Sequence, residues 1–140
     1  MSFFTTATTS SSGMSVQRQV MDIISENLAN VNTVQSEDGG PYRRKVPVIS
    51  NKQTSFGAML GEYMTNTVYV SEIKKDETPP RLDYDPTHPL ADEKGYVKKP
   101  NINLALEMVY MMDATRAYEA NVAVFNASKN MAAKALQIGA

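Results

Sequence analysis

The sequence predicts an α+β fold that is mainly α, with long N- and C-terminal helices packed as a coiled-coil-like pair and a small β and loop insertion between them. Two features of the chain predict it. All seven prolines lie between residues 41 and 100, and 20 of the 29 charged residues lie between 34 and 100. Because proline interrupts helices, we assign residues 1–33 to an N-terminal helical segment, 34–100 to a central β and loop region, and 101–140 to a C-terminal helical segment.

The N-terminal segment carries apolar residues at heptad spacing, which predicts a helix from about Gly13 to Asn30. Two series that step by seven contain five apolar members out of six: Met14, Met21 and Leu28, with Gln17, Ile24 and Val31. Such spacing is typical of a coiled-coil seam or of a tightly packed helix pair. A serine from Ser10 to Ser12 can supply the N-cap, because its hydroxyl accepts a hydrogen bond from a free backbone N–H.

The C-terminal segment carries a longer pattern of the same kind. Its seam positions step by four and three without a break: Leu104, Met108, Met111, Thr115, Tyr118, Val122, Phe125, Lys129, Ala132 and Leu136. Asn101 or Asn103 can cap the start after Pro100, and Gly139 stands where a helix stops. The pattern predicts a helix of roughly 35 residues, about 50 Å long at ~1.5 Å per residue.

The central region predicts strands and turns. Two runs of β-branched and aromatic residues, Tyr42–Ile49 and Thr67–Ile73, are predicted strands, and Pro47 indicates an edge strand. A further short strand is predicted at Leu82–Tyr84, followed by an extended, turn-rich loop that ends in the turn "EKGY". Residues 50–66 are predicted to be a loop with one irregular helical turn at most.

The bulk composition excludes several functional classes. The net charge of −1 gives no general basic field for nucleic acid. The absence of cysteine excludes disulfides, cysteine zinc sites and thiol catalysis. The N-terminus has neither the basic nor the apolar region of a cleavable signal, and the longest wholly apolar run is Met108–Met112, against the ~20 residues of a membrane span. We expect a soluble chain, or one that leaves the cell by a route that reads no standard signal.

The C-terminal helix lacks a charged outer face. Most positions outside its seam are small or carry amides: Ala114, Ala117, Ala120, Asn121, Ala123, Asn126, Ala127, Ser128, Asn130, Ala133, Ala135 and Gln137. A lone surface helix places charges away from its core, so this composition is typical of a helix covered on several sides. One interpretation is an ordinary bundle core. The other, favoured by the helix length, is packing against other chains, because this chain has only one other long helix.

Three asparagines stand near the end of the first predicted helix, in the stretch "SENLANVNT". Asn27 and Asn30 are one helical turn apart on a single face, and asparagine tolerates the left-handed conformation that ends helices. A helix end needs one asparagine rather than three. We hypothesise that Asn27 and Asn30 bond to a neighbouring helix or loop and fix the register of the pair, as a buried polar residue does in coiled coils.

Three motifs resemble the bacterial flagellar rod and hook protein family. They are "ISENLANVNT", "YDPTHPLADEKGYVKKPNIN" and "EMVYMMDATRAYEANVAVFNASKNMAAKALQIG". The first resembles the N-terminal signature of the whole family, and the other two are similar to its proximal rod subunits. The motif residues that carry over are Asn27, Leu28, Ala29, Asn30, Thr33, Asp85, Pro86, Pro89, Gly95, Tyr96, Pro100, Asn101, Glu107, Met108, Arg116, Tyr118, Glu119, Ala120, Asn121 and Asn126. The first dozen residues depart from the family by being more polar.

The resemblance implies a structural role in the basal body. In this family the terminal segments pack as helices in the core of a tubular rod, and the middle forms a smaller outer β region. Implied partners are further copies of the chain, other proximal and distal rod subunits, the adaptor at the MS-ring base and the flagellar type III export apparatus. Export without signal cleavage and assembly in the periplasmic part of the basal body are also implied. The resemblance implies neither nucleic acid binding nor membrane insertion.

The predicted assembly interface combines the two seams with the asparagines of the motifs. Its residues are Met14, Met21, Ile24, Asn27, Leu28, Asn30, Val31, Leu104, Met108, Met111, Tyr118, Asn121, Val122, Phe125 and Leu136. Because isolated helices are marginal even at 12–15 residues, we expect mobile ends and a compact middle before assembly, with the ends ordering on incorporation.

No catalytic, metal or cofactor site is predicted. His88 is the only histidine and lies among turn residues, and the acidic stretch from Asp83 to Glu93 lacks EF-hand spacing, so a solvated loop is favoured over calcium binding. The basic run Arg43–Lys45 fits either ion pairs with an adjacent subunit or a solvated edge strand. Two alternative functions stay open: a secreted helical adaptor that holds a partner through the same seam without polymerising, and an enzyme with an unrecognised site in the acidic loop.

Overall fold

The computed structural model describes residues 3–36, 39–52 and 67–138, so most of the loop predicted at 50–66 lies outside the described residues. Two helices and four strands follow one another along the chain: α1 (Phe3–Ala29), β1 (Lys45–Lys52), β2 (Thr67–Lys75), β3 (Arg81–Tyr84), β4 (Tyr96–Lys99) and α2 (Leu104–Ile138). The predicted α+β class, mainly α with a helix at each end and a small β insertion, is confirmed at this level.

The first helix begins at Phe3, so the predicted start near Gly13 and the predicted serine N-cap are wrong. The Ser12 hydroxyl shows why, because it donates to the backbone carbonyl of Thr9 at 2.8 Å, and the N–H that it accepts belongs to Val68 of β2 rather than to the first turn of a helix. Serine and threonine are compatible with a helix interior when their hydroxyls bond back to the preceding turn. The polar N-terminal stretch therefore continues the helix.

The second helix agrees with its prediction. It spans 35 residues from Leu104 to Ile138, about 52 Å at ~1.5 Å per residue. Asn103 caps it, since its side-chain oxygen accepts the backbone N–H of Leu106 at 3.2 Å. This is the N-cap geometry that satisfies one of the free donors of the first turn.

The two helices pack antiparallel. Three contacts follow one another along the pair: the Cβ position of Gly13 is 3.0 Å from Asn121 Nδ2, Met21 Sδ is 3.6 Å from Thr115 Oγ1, and Asn27 Nδ2 is 3.3 Å from Glu107 Oε2. The partner number falls along α2 as the number along α1 rises, so the chain directions are opposite. Since α1 is the shorter helix, this register leaves the last turns of α2 beyond the start of α1.

The β1–β2 hairpin lies along α1. The strands are antiparallel from Lys45 opposite Lys75 to Lys52 opposite Thr67, with an irregularity between Val48 and Ile49. Lys45 is bonded to Asn27 and the N–H of Val68 is bonded to Ser12, so the hairpin follows the helix between those two points. Eight residues of strand at ~3.3 Å and fifteen of helix at ~1.5 Å each span roughly 22–26 Å, so the lengths match.

The β3–β4 hairpin was only half predicted. Strand β3 was predicted at Leu82–Tyr84, whereas β4, antiparallel to it from Lys99 opposite Arg81 to Tyr96 opposite Tyr84, was predicted as the end of a loop. Gly95 (φ +79°) makes the sharp return possible, and a Cβ there would lie 3.1 Å from the Tyr84 ring. Among the described elements, β3 and β4 contact neither a helix nor the β1–β2 hairpin.

Candidate assembly interface

Helix α1 is the central layer of the fold, because it contacts α2 on one side and the β1–β2 hairpin on the other. It accordingly carries half of the buried apolar residues of the described chain, Val16, Ile23 and Ile24. Among the described elements, α2 contacts α1 and none of the strands. One helix is therefore covered within the chain, and the other keeps an open side.

A polar cluster closes the end of the helix pair where α1 stops and α2 starts. We call its residues, Asn27, Tyr42, Arg44 and Glu107, the basal cluster. The Asn27 amide makes four hydrogen bonds: Nδ2 donates to the Lys45 carbonyl (2.9 Å) and to Glu107 Oε2 (3.3 Å), and Oδ1 accepts from the Lys45 N–H (2.8 Å) and the Tyr42 hydroxyl (3.0 Å). An asparagine side chain offers two donors and two lone pairs, so its capacity is filled within the chain.

Glu107 is the charged centre of the basal cluster. Its side chain is 1% exposed, and Oε1 accepts a hydrogen bond from Arg44 Nε at 2.6 Å. The Arg44 guanidinium also lies over the Tyr110 ring, 5.6 Å from its centroid. A buried carboxylate needs an ion pair and hydrogen bonds to offset its lost hydration, and Arg44 and Asn27 supply both. In the described residues, no buried side-chain nitrogen or oxygen lacks a partner.

The basic run before β1 is therefore used inside the chain. Arg44 pairs with Glu107, and Lys45 Nζ pairs with Glu26 on α1. The two interpretations considered for this run, pairing with an adjacent subunit and a solvated edge strand, did not include these ion pairs within the chain. Arg43, by contrast, is exposed.

Tyr42 shows how closed the cluster is. Burial first, and then the nearby carboxylates of Glu26 and Glu107, together raise the pKa of its phenol to about 12. The hydroxyl therefore keeps its proton throughout the neutral range, and it remains a donor to Asn27. This direction follows from burial and like charge, since both disfavour a phenolate.

The asparagines of "SENLANVNT" have different roles. Asn27 makes the long-range bonds described above. Asn30 Nδ2 donates to the Glu26 carbonyl at 2.9 Å, and Asn30 Oδ1 accepts from the Thr33 hydroxyl at 3.0 Å. Within the described residues these bonds are local to the end of α1, and a bond from Asn30 to a neighbouring element stays a prediction. For Asn27 the neighbouring helix and strand belong to the same chain.

The face that α2 turns toward α1 is rotated slightly from the predicted seam. Buried and half-buried positions along it are Glu107, Met111, Ala114, Thr115, Ala117, Tyr118, Asn121, Val122, Phe125, Ser128 and Ala132. Four predicted seam residues are exposed instead: Leu104, Met108, Lys129 and Leu136. On α1, Ile24 and Asn27 are buried, while Met14, Met21 and Leu28 are half-buried, as are Asn30 and Val31 in the turn directly after it. The predicted interface thus divides into residues used within the chain and residues on the open side of α2.

The open side of α2 begins with a dense apolar surface, which we call the α2 apolar face. Its residues, with their exposed fractions, are Leu104 (52%), Leu106 (44%), Met108 (55%), Val109 (44%), Tyr110 (41%) and Met112 (53%). Four of these, Leu106, Val109, Tyr110 and Met112, are absent from the predicted interface. The sequence pattern could have indicated these four residues, because the start of a helix that is apolar on all sides must be covered on all sides.

The acidic loop is built from local turns. Asp85 Oδ1 accepts from the Thr87 hydroxyl (2.7 Å) and N–H (3.1 Å), and Asp92 Oδ1 accepts from the N–H groups of Lys94 and Tyr96 (2.9 Å each). These hydrogen bonds lower the pKa of both carboxyls. His88 Nδ1 accepts the Leu90 N–H at 3.1 Å. Across the described ranges, no three His, Cys, Asp or Glu residues come together as a metal site would require.

The crossing at Gly13 gives a test of the helix packing. A Cβ there would lie 3.0–3.2 Å from three atoms of the Asn121 amide. Gly13→Val adds two further methyl groups at that point, and overpacking of this kind costs about 1–3 kcal/mol. We expect a loss of that size in the free energy of unfolding, measured by urea denaturation. Gly40→Val is the matched control, since nothing lies within 4 Å of its Cβ position. An equal loss in both variants would contradict the close crossing.

No helix within the described ranges is both long and apolar enough to cross a bilayer.

Comparison with known proteins agrees with the two-ended architecture. The family model described as "Flagella basal body rod protein" matches residues 8–34, and that described as "Flagellar basal body rod FlgEFG protein C-terminal" matches residues 93–138. These ranges contain most of α1 and all of α2.

Curated relatives match almost the whole chain. The flagellar basal-body rod protein FlgC of Borreliella burgdorferi is 44% identical over 99% of this chain and 98% of its own. FlgC of Bacillus subtilis is 42% identical over 99% of both chains, and FlgC of an Escherichia coli O6:H1 strain is 41% identical over 91% of both. The chain therefore belongs to the FlgC family of flagellar basal-body rod proteins, structural subunits of the flagellar rod.

Proposed function

We propose that the chain polymerises through its terminal helices into the proximal part of the rod, the axial shaft that transmits motor torque. The observation that carries this proposal is the α2 apolar face, six large side chains within nine residues that are each 41–55% exposed. Full burial of such a side chain contributes roughly 1.5–3 kcal/mol. Since each is already about half covered, burying the rest would contribute about half of that per residue.

In this proposal the helices of neighbouring subunits complete a coiled-coil-like packing around α2. Large apolar residues at its start and small residues further along suit different neighbours, because small side chains permit close backbone approach. Repetition of one heterologous contact gives a helical filament unless its rotation closes a ring. The residues proposed for the contact are those of the predicted interface on the open side, Leu104, Met108 and Leu136, together with the rest of the α2 apolar face.

The proposal includes the partners and location that the family resemblance implies. They are further copies, the other proximal and distal rod subunits and the MS-ring adaptor, reached after export through the flagellar type III apparatus without signal cleavage. Assembly takes place in the periplasmic part of the basal body. A structural subunit of this kind has no catalytic task.

The test is the replacement Met108→Asp. Met108 is 55% exposed, so the change should alter the free energy of unfolding by less than ~1 kcal/mol. In an assembled interface the carboxylate would be buried without a partner, which costs several kcal/mol and weakens association by more than about a hundredfold. We expect normal export, loss of incorporation into basal bodies and loss of swimming in cells that lack the native chain.

Gln35→Asp is the matched control, because Gln35 is exposed in the loop after α1 and the added charge is the same. It should leave swimming intact. Normal basal bodies with Met108→Asp would contradict the proposed contact. A stoichiometric soluble complex of the wild type with one partner, without polymer, would instead favour the adaptor function.

A further inference from the structure

We propose that the basal cluster is a joint that holds the β1–β2 hairpin at a fixed orientation to the helix pair, with Asn27 and Glu107 as its positioning residues. The joint is a property of the single chain. Its use in a rod, where the helical core and the outer region would turn as one body, rests on the proposed function.

The cluster fixes the first residue of β1 by its backbone. The side-chain amide of Asn27 makes two hydrogen bonds to the backbone of Lys45: its Oδ1 accepts from the Lys45 N–H at 2.8 Å, and its Nδ2 donates to the Lys45 carbonyl at 2.9 Å. This pair of bonds copies the way in which a neighbouring strand would hold that residue. A side chain on α1 thus replaces a strand partner at the point where the hairpin leaves the helices.

A second tether runs from the same place to the other helix. Arg44, directly before β1, bonds Glu107 of α2 at 2.6 Å and lies over Tyr110 of α2. Among the described elements, no strand contacts α2, so Arg44 links the start of the hairpin to that helix. Bonds to α1 alone leave a rotation of the hairpin about that helix free, whereas the added bond to α2 removes it.

Burial makes the joint stiff. Asn27 and Glu107 are each 1% exposed, and turning the hairpin would leave a buried amide and a buried carboxylate without partners. Such unpaired groups are strongly disfavoured in a low-dielectric interior. The far end of the hairpin is bonded to α1 by a longer hydrogen bond, from the Val68 N–H to the Ser12 hydroxyl at 3.3 Å.

The absence of cysteine makes the test direct. Spin labels on cysteines introduced at Asp113 of α2 and Lys74 of β2, both exposed, report the distance between the helix pair and the hairpin in the full chain by pulsed electron paramagnetic resonance. We expect a narrow distance distribution in the wild type. Asn27→Ala should broaden it at least twofold while the helical circular dichroism stays within about a tenth of the wild-type value.

Asn30→Ala is the matched control. It removes an asparagine from the same motif, one turn away, whose bonds are local to the end of α1. It should leave the distribution as narrow as in the wild type. If Asn27→Ala does not fold, Tyr42→Phe and Arg44→Gln decide, because the first removes the hydroxyl that bonds the Asn27 amide and the second removes the bond to Glu107. Each should broaden the distribution by itself. A broad wild-type distribution, or equal widths in all variants, would overturn the proposal.

The same labels separate this proposal from the proposed function. Met108→Asp lies outside the basal cluster and should keep the narrow distribution even though it fails to assemble. A narrow distribution in that variant therefore supports the joint whatever the outcome for the rod. A distribution that Met108→Asp broadens as much as Asn27→Ala does would mean that the width reports general loosening, and would overturn the joint.

Discussion

Arg44→Met should lower the free energy of unfolding by about 2–4 kcal/mol, the largest single effect on stability expected in this chain. Removing one partner of a buried ion pair typically costs about 3–5 kcal/mol, because the other charge stays buried and uncompensated. Glu107 is 1% exposed, whereas Arg44 is 22% exposed, so some water already reaches the pair and the lower figure applies. Urea unfolding followed by circular dichroism measures the loss.

Two further variants identify the cause. Lys45→Met is the matched control, because Lys45 is adjacent and its partner Glu26 is 42% exposed, and an exposed pair contributes less than ~1 kcal/mol. Glu107→Leu in the Arg44→Met background removes the stranded carboxylate and should recover at least half of the loss, since apolar replacements of a whole buried pair are often neutral. If the double variant is as unstable as the sum of the single ones, the two side chains do not act as a pair.

The helices could be predicted from sequence because their signals are local. The placement of the prolines predicted a helix at each end of the chain. Asn101 and Asn103 were the two candidate caps for the start of α2, and Asn103 is the one that caps it. The start of α1 could not be predicted in the same way. Serine and threonine are common both at caps and inside helices that bond back to the preceding turn, and the choice at Ser12 depends on a long helix being available to pack against.

The basal cluster could not be predicted from local sequence signals. Arg44 and Glu107 are 63 positions apart, and a charged residue at the start of a helix is ordinarily exposed. The apolar periodicity predicted Met108 in the seam that faces α1, whereas the structure has Glu107 on that face. The start of α2 has no polar side in its sequence pattern from which the orientation of the helix could be predicted. The three asparagines led to the prediction that Asn27 bonds to a neighbouring element, but the partners of Asn27 could be identified only from the fold.

The second large effect concerns order along the helices of the free chain. Of the buried apolar residues of the helix pair, Val16 lies at the middle of α1, and Ile23, Ile24 and Ala114 lie in the half nearer the basal cluster. In the other half, the buried residues of the described chain are Ser10 and Ser128. Small hydroxyl side chains contribute little hydrophobic stabilisation, and helices without packed apolar faces are marginal in water. We therefore expect opening to become easier with distance from the cluster.

Hydrogen exchange resolved by peptide measures that gradient. Amides near Asn27 and Glu107 should exchange only through global unfolding, so that their opening free energy equals the stability of the chain. Amides before Ser10 and after Ser128 should exchange faster by a factor on the order of 10³, which corresponds to an opening free energy lower by ~4 kcal/mol. In assembled rods the fast amides should become slow, because neighbours cover them. Met108→Asp should keep the fast pattern under the same conditions. Equal protection along both helices of the free chain would mean that the helix pair completes its own folding, and assembly would then join preformed surfaces rather than order the distal turns.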